Sequence, residues 1–330
     1  MDLVTRDILK RTLSQFQMPG PSECVPLRKS AVKRDQMIKV EFRDRPAVLV
    51  RFHDPRYYRH ADIEHQTSLR SFLHSRGIPV AELFRTADGA LYLDVELQGE
   101  VWPVTVEEWV AGEPPAAVTP ALITLMGRTL GRMHLAAPDS GVSFGHGTRM
   151  SLFTHEERYA ANAASLRGVF DGAGLGDHAR ALLFEPWERA RDDLRRIWPG
   201  LPGGPVHADF AEYNLLLNET EDIAAVIDFN RAGDDRFVNE LVHACLLLPS
   251  SGQDEHDRDS FRRFVSSYQE VRALSPDERL AMPHLIAVIR PFRSREVSPL
   301  LKAAEKRGTD ALRAGLRRLS HLADPSVLLG

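Results

Sequence analysis

The residues best suited to chemistry lie in one short stretch of the chain. His207, Asp209 and Asn214 have the spacing H-x-D-x-x-x-x-N, and Asp228 ends an apolar run 19 residues after Asp209. Phosphoryl transfer needs mainly positioning and charge neutralisation, so it calls for a carboxylate near the acceptor hydroxyl and for oxygen ligands to a metal. Asp209 is therefore the candidate for orienting the hydroxyl, and Asn214 with Asp228 for holding Mg²⁺ on nucleotide phosphates.

Two short apolar strands, at 215–217 and 223–227, follow the catalytic motif and are expected to lie side by side. In the first third of the chain, apolar and polar residues alternate as they do in strands. One helical segment, which ends before Gly77, interrupts this alternation. This pattern predicts the order β-β-α-β-β-β. The predicted elements are strands at 37–42 and 47–52, a helix at 61–76, and strands at 82–86, 90–95 and 104–110.

Beyond residue 110 the strand pattern stops at Ala111-Gly112-Glu113-Pro114-Pro115, and helical periodicity takes over. Ser275-Pro276-Asp277-Glu278 is a capping box with proline at the first helical position. We therefore predict an N-terminal lobe at 1–110, a hinge linker at 111–115 and a helical C-terminal lobe at 116–330. The expected helices span 120–135, 151–166, 177–197, 235–248, 257–272 and 276–290.

Composition narrows the class of protein. The 330 residues carry a net charge of −4 and are 43% hydrophobic, which is ordinary for a globular chain. This charge gives no bulk attraction to nucleic acid or to an anionic membrane, and no window is apolar enough to span a bilayer. Cys24 and Cys245 are too isolated for a disulfide framework. We expect a cytoplasmic protein, a monomer or a homodimer, with no nucleic-acid or membrane partner.

Several motifs together resemble one superfamily. His207-Ala208-Asp209 with Asn214, followed by Val226-Ile227-Asp228-Phe229, resembles the catalytic loop and metal segment of the aminoglycoside phosphotransferase, choline kinase and homoserine kinase superfamily. The segment 127–134 resembles the first helix of its C-terminal lobe, and Glu64-His65-Gln66 resembles its C-helix. The likeness is greatest to the bacterial homoserine kinase type II and stress response kinase A branch. It implies an α+β, two-lobed protein-kinase-like fold, with an antiparallel sheet and one helix in the N-terminal lobe.

The resemblance also implies roles for the motif residues. Asp209 takes the position of the catalytic aspartate, and His207 would brace the loop. Asn214 and Asp228 take the positions of the metal ligands. The implied cofactors are ATP and Mg²⁺.

The resemblance extends to the nucleotide-binding residues of the first lobe. Arg51 falls where the family usually has the strand lysine that contacts the phosphates, and Glu64 falls where the helix partner of that lysine sits. Arginine has the same positive charge as lysine and can make two hydrogen bonds to a phosphate, so it can take the place of that lysine. Glu108 and Val110 would occupy the hinge against the adenine. The phosphate-covering loop at 28–36 has no glycine, so Ser30 and Lys33 would bind phosphate with their side chains.

The acceptor is less constrained by the sequence. Glu212, Asp234 and Asp235 near the catalytic motif suit an amine-bearing molecule, such as an aminoglycoside or an amino alcohol like homoserine. Residues 290–318 instead carry a net charge of +6, which would suit an anionic substrate or an acidic Ser/Thr peptide, or would simply form a solvated face. Three functions stay open: a small-molecule kinase, a Ser/Thr kinase acting on a peptide or protein, and a nucleotide-binding pseudokinase scaffold.

Overall fold

The computed structural model describes residues 4–27, 35–153, 157–305 and 308–330. The chain divides into two compact units, and both are built from separate segments. The first unit comprises Met1–Ala116, Ala136–Phe144 and Glu212–Ala232; the second comprises Ala117–Leu135, Gly145–Ala211 and Gly233–Gly330. The first break, after Ala116, adjoins the predicted linker at 111–115. The functional lobes at 1–110 and 116–330 stay a prediction.

The first unit contains an antiparallel sheet in the order β1-β2-β3-β5-β4. Its strands are β1 (Glu23–Pro26), β2 (Gln36–Glu41), β3 (Val48–Phe52), β4 (Leu93–Leu97) and β5 (Glu100–Glu108). Helix α1 (Arg6–Gln15) precedes the sheet, and α2 (His60–Ser75) lies between β3 and β4. Alternate residues of β3 are buried, so Val48, Val50 and Phe52 join the core with Trp102.

A second, two-stranded sheet completes the first unit. Strand β7 (Leu215–Leu217) pairs antiparallel with β8 (Ile223–Val226), as the two apolar runs predicted. Glu113 and Leu217 exchange backbone hydrogen bonds, and the Val226 N–H donates to the carbonyl of Pro79 at 2.7 Å. These bonds fix the short sheet to the segment after β5 and to the segment after α2.

The second unit is mostly helical and holds strands β6 (Gly203–Val206) and β9 (Gly233–Arg236), which pair antiparallel. The helices of this unit are α3 (Pro120–Ala136), α4 (Glu157–Gly172), α5 (Gly176–Ala179), α6 (Glu185–Ile197), α7 (Phe237–Leu247), α8 (Asp254–Gln269), α9 (Pro276–Ile289), α10 (Ser294–Glu305), α11 (Thr309–Ala323) and α12 (Ser326–Leu329). Helix α9 begins with the predicted capping box, in which Ser275 and Glu278 each bond the backbone N–H of the other. Within the described ranges, no helix is both long and apolar enough to cross a membrane.

The structure differs from the sequence-based expectation at several elements, and at two of them hydrogen bonds of a threonine hydroxyl form a local turn. Residues 82–86 form no strand and make only one bridge, from Leu83 to Glu107, because the chain turns at Thr86. The hydroxyl of Thr86 accepts the N–H of Ala90 at 2.9 Å, and β4 consequently begins at Leu93. The helix expected at 151–166 lies at Glu157–Gly172 instead. The Thr148 hydroxyl accepts the N–H groups of Met150 and Ser151, which makes a turn at that point.

Candidate active site

The catalytic motif lies in the loop that leaves β6 in the second unit. His207 and Asp209 are both buried, at 0% and 8% exposure. The Asp209 N–H donates to Nδ1 of His207 at 3.2 Å, so Nδ1 is the unprotonated ring nitrogen. Ala208 between them has φ +62°, a left-handed conformation that costs a non-glycine residue about 1–2 kcal/mol. His207 thus hydrogen-bonds the loop backbone at Asp209, and its bracing role stays a prediction.

Glu240 on α7 compensates for this strained backbone. Its fully buried carboxylate accepts the N–H of Ala208 at Oε1 and the N–H of His207 at Oε2, the latter at 3.3 Å. A carboxylate that accepts backbone N–H groups makes charge-assisted bonds, which are about twice as strong as neutral ones. Glu240 therefore fixes the backbone of the two residues that precede Asp209. Glu240 was not predicted as a functional residue, although an acidic residue within the apolar run of α7 signals a buried, paired group.

His134 on α3 completes the support of Glu240. Its Nε2 lies 2.7 Å from Glu240 Oε2, and its Nδ1 lies 2.9 Å from the hydroxyl of Tyr268. That hydroxyl accepts from Arg272 at 3.0 Å, so it donates its own proton to Nδ1, and Nε2–H of His134 donates to Glu240. Burial lowers the pKa of His134, with the Glu240 hydrogen bond opposing this, which agrees with a neutral ring.

The glycines of segment 127–134 explain how α3 reaches this network. A Cβ at Gly127 would lie 2.5 Å from the carbonyl oxygen of Phe264, and one at Gly131 would lie 2.9 Å from that of Tyr268. Only glycine permits so close an approach of α3 to α8. This packing sets His134 beside Tyr268. The motif is therefore a structural support for the catalytic loop.

The two predicted metal ligands lie on adjacent backbone segments of the first unit. The N–H of Ile227, next to Asp228, donates to the backbone carbonyl of Asn214 at 2.9 Å. Asn214 is buried, whereas Asp228 is exposed and has φ 63°. The Asp228 carboxylate accepts a hydrogen bond from the side-chain amide of Asn230. An amide oxygen and a carboxylate are hard oxygen ligands of the type that Mg²⁺ binds together with nucleotide phosphates, so these residues fit that metal.

Arg51 on β3 belongs to a buried polar cluster of the same unit. Its Nη2 donates to Asp35 at 2.7 Å and to the Tyr58 hydroxyl at 3.1 Å. The Tyr58 hydroxyl donates in turn to Asp35 at 3.2 Å. Burial acts to lower the pKa of Arg51, but the acidic groups of Tyr58, Asp35 and Asp228 outweigh it, and the pKa is raised. The guanidinium is therefore fixed as a cation within the electrostatic reach of Asp228.

The structure does not bring Glu64 to Arg51. Glu64 is exposed on α2, and within the described part of the chain the ion pair of Arg51 is with Asp35. Arg51 thus pairs with Asp35, which directly precedes β2, in place of the expected Glu64. Helix α2 makes a different link to the sheet, because its Arg70 pairs with Glu107 and stands 5.8 Å over the ring of Phe229. Phe229 directly follows Asp228.

The remaining predicted nucleotide contacts are Glu108, Val110, Ser30 and Lys33. Glu108 is exposed at the end of β5, and its N–H donates to the carbonyl of Glu82 at 2.9 Å. Val110 follows the strand and is half-buried. Ser30 and Lys33 lie outside the described residues. All four stay predictions as nucleotide ligands.

The three acidic residues near the motif have different surroundings. Asp235 is engaged by the Thr148 hydroxyl at 2.6 Å and by the Asn239 amide at 3.0 Å, and burial raises its pKa to about 6. Asp234 accepts the N–H of Gly145 at 3.0 Å. Glu212, in the first unit, has a buried Oε2 without a hydrogen-bond partner among the described residues. Asp235 is a structural acid, and Glu212 has an oxygen free for a ligand.

Comparison with known proteins identifies the family. The model of the phosphotransferase enzyme family matches residues 34–274, so the chain belongs to that family. It is a phosphotransferase with an alcohol group as acceptor, which confirms the class predicted from the catalytic motif.

Curated relatives include homoserine kinases. The one from Caulobacter sp. (strain K31) is 26% identical over 237 residues, which cover 71% of this chain and 69% of the relative. The one from Rhodospirillum rubrum is 25% identical over 226 residues, covering 68% of this chain and 65% of the relative. The matched segments thus span about two thirds of these relatives' length.

Solved structures share the fold. A microcompartment-associated aminopropanol kinase aligns with a TM-score of 0.61 and 19% identity, over 97% of this chain and 99% of its own. An amicoumacin kinase aligns with a TM-score of 0.65 and 14% identity, over 98% of this chain and 95% of its own. These alignments confirm the protein-kinase-like α+β fold.

Proposed function

We propose that this phosphotransferase moves the γ-phosphoryl group of ATP, bound with Mg²⁺, to a hydroxyl of a small, amine-containing molecule. The acceptor would be an aminoglycoside-like antibiotic or an amino alcohol such as homoserine. The observation that carries the proposal is the backbone hydrogen bond of 2.9 Å from the Ile227 N–H to the Asn214 carbonyl, which holds the segment of Asp228 beside that of Asn214. The Arg51 cation, within reach of Asp228, supplies a positive charge for phosphate.

Each residue has a distinct task in this scheme. Asn214 and Asp228 would hold Mg²⁺, which when bound neutralises charge on the phosphates. Arg51 would contact phosphate oxygens with the part of its guanidinium that Asp35 leaves free. Asp209 would accept the proton of the acceptor hydroxyl, on a backbone held by Glu240. The amicoumacin kinase was solved with AMP-PNP and Ca²⁺, which supports the use of a nucleotide and a divalent metal.

Glu212 supports an acceptor that carries an amine. A buried carboxylate oxygen without a partner is costly, and a cationic amino group would compensate it. The relatives are named for homoserine and for aminopropanol, and both of these molecules combine an amine with a hydroxyl.

The peptide and scaffold alternatives have weaker support. Within the basic segment 290–318, Arg295 and Arg318 pair with Glu296, and Arg313 pairs with Asp310. These arginines are therefore partly neutralised, which leaves less charge for an acidic peptide.

A cytoplasmic location and a monomeric or homodimeric state stay predictions.

An acceptor screen tests the proposal. The full chain with Mg-ATP should add a phosphoryl group, read as a mass shift, to homoserine, to 1-amino-2-propanol or to an aminoglycoside. Amine-free analogues such as 4-hydroxybutyrate and 1,2-propanediol are the matched controls, and we expect little transfer to them. The Asp209→Asn variant controls for contaminating kinases. Transfer only to Ser/Thr peptides, or Mg-ATP binding without transfer to any acceptor, would overturn the proposal.

A further inference from the structure

A cavity of about 520 Å³ lies in the second unit, and none of the residues assigned above lines it. The end of α7 and the loop that follows it, with Leu246 and Ser250, form one part of its wall. Arg290, Glu296 and Arg318 line another part. A volume of this size is typical of small-molecule sites, which measure roughly 300–1,000 Å³.

Arg290 is the unusual member of this wall. It is 7% exposed, and its Nη1 is buried without a hydrogen-bond partner among the described residues. Burial lowers its pKa, an effect that the nearby carboxylates of Asp254, Asp257 and Glu296 oppose. Guanidinium groups stay protonated even so, because their ordinary pKa lies far above neutral pH. A buried cation with an unused donor is costly unless an anion accepts from it.

The two carboxylates that line the cavity are already engaged. Asp257 accepts the Ser251 N–H at 2.8 Å and hydroxyl bonds from Ser250 and Ser251, which tie down the loop after α7. Glu296 accepts from Arg295 at 3.0 Å at Oε1 and from Arg318 at Oε2. Neither carboxylate is hydrogen-bonded to Arg290, so the cavity retains an unmatched positive group.

The charge balance indicates the kind of ligand that fits. The charged side chains of the lining are Arg290, Arg295 and Arg318 against Asp257 and Glu296, so one positive charge is in excess. A single negative charge neutralises it, whereas a phosphate dianion would leave a negative excess. The wall also includes apolar side chains, among them Leu246, Phe261 and Leu328, which favour a ligand with a hydrocarbon part.

We propose that this cavity binds the carboxylate of a small organic monoanion, with the Arg290 guanidinium as its principal partner. Arginine and carboxylate form charge-assisted, often bidentate hydrogen bonds, which would satisfy the donor that the protein leaves unpaired. The carboxylate has two sources with the same chemistry: a separate ligand, or the acceptor molecule itself. The second source rests on the proposed kinase function; the binding does not.

Thermal unfolding of the full chain tests the binding, with isovalerate as the probe at constant ionic strength. Isovalerate should raise the melting temperature of the parent saturably, and its neutral isostere isovaleramide should not. Arg290→Met should weaken the apparent affinity by about tenfold or more, the loss expected for a charge-assisted bond. Arg317→Met, at an exposed position of α11 outside the cavity, is the matched control and should bind like the parent.

Arg290→Met should not unfold the protein, because it removes an unpaired buried charge and keeps an apolar side chain of similar length. Without ligand we expect it to melt at or above the parental temperature. The proposal is overturned if isovalerate gives no saturable stabilisation, if isovaleramide acts equally, or if Arg290→Met binds isovalerate as the parent does.

Kinetics distinguish the two sources of the carboxylate. If the acceptor supplies it, Arg290→Met should raise the KM for homoserine and leave that for 1-amino-2-propanol unchanged, since only homoserine has a carboxylate. If a separate ligand supplies it, the variant should treat both acceptors as the parent does while still losing isovalerate binding. Failure of the kinase proposal would appear as no turnover of either acceptor, and the melting experiment would stand unaffected.

Discussion

Asp35 is predicted to control the nucleotide affinity through Arg51, and Glu64 is predicted not to. The carboxylate of Asp35 is 6% exposed and accepts three hydrogen bonds: from Arg51, from Tyr58 and from the N–H of Asp54 at 3.0 Å. Replacing it with asparagine keeps the shape of the side chain. The substitution removes the negative charge and turns one acceptor into a donor that faces the guanidinium.

The size of the effect follows from these contacts. Breaking a buried ion pair by removing one partner costs about 3–5 kcal/mol. The Arg51 side chain is 16% exposed, and Asp228 remains as a second negative group near it, so we expect a loss at or just below the lower end of this range. We expect Asp35→Asn to lower the free energy of unfolding by roughly 2–3 kcal/mol. A misplaced Arg51 should raise the KM for ATP by about tenfold.

Steady-state kinetics and urea unfolding measure both effects on the same variants. Asp35→Asn should raise the KM for ATP and leave the KM for the acceptor near its parental value. Glu64→Gln, an equally conservative change at an exposed position of α2, is the matched control and should change neither the free energy of unfolding nor the KM for ATP noticeably. The reasoning is refuted if Glu64→Gln has the larger effect on ATP, or if Asp35→Asn matches the parent in both assays.

Three further outcomes follow from the same structure. Arg51→Ala should lower kcat/KM for ATP by about 10–100-fold, with partial recovery in Arg51→Lys; unchanged kinetics of the alanine variant would contradict the phosphate role. Glu240→Gln removes the charge that holds Ala208, so kcat should fall by about tenfold while Mg-ATP affinity persists; a lower ATP affinity with normal kcat would contradict this. Asp235 has a pKa near 6 in the folded protein, above its ordinary value of 3.8, so the folded state binds the proton more tightly. The free energy of unfolding should therefore fall by roughly 2–3 kcal/mol as the pH rises from about 4 to about 6, because Asp235 then loses its proton in the folded state. Unfolding titrations of Asp235→Asn should lack this decline, and a decline equal to the parent's would refute the assignment.

Local rules predicted the parts of the fold that short stretches of sequence determine. The alternation in β2 and β3, the capping box at Ser275 and the side-by-side strands after the catalytic loop all follow from patterns within a few residues. The fold class and the family followed from the order of several motifs along the chain. The strand predicted at 82–86 was wrong, because a threonine hydroxyl that bonds four residues ahead, as Thr86 does, leaves no trace in the hydrophobic pattern.

The supports of the candidate site could not be predicted in the same way. Asp35 and Arg51 are 16 residues apart and meet only because β2 and β3 pair in one particular register. The family pattern pointed to Glu64 instead, at a position that α2 leaves exposed. Glu240 lies 33 residues beyond His207, and its contact depends on how α7 packs against β6. Such pairings depend on tertiary structure, which periodicity and spacing do not specify.

The most direct test of the proposed mechanism is calorimetric titration of Mg-ATP into two variants, Asp209→Asn and Asp228→Asn. Asp209 is assigned to the acceptor hydroxyl, so its variant should bind Mg-ATP nearly as the parent does while kcat falls by about 10²–10⁴-fold. Asp228 is assigned to the metal, so its variant should lose metal-dependent nucleotide binding together with turnover, because a neutral amide replaces a charged oxygen ligand. If Asp209→Asn abolished Mg-ATP binding while Asp228→Asn kept both parental affinity and parental rate, the assignment of these two residues would be wrong.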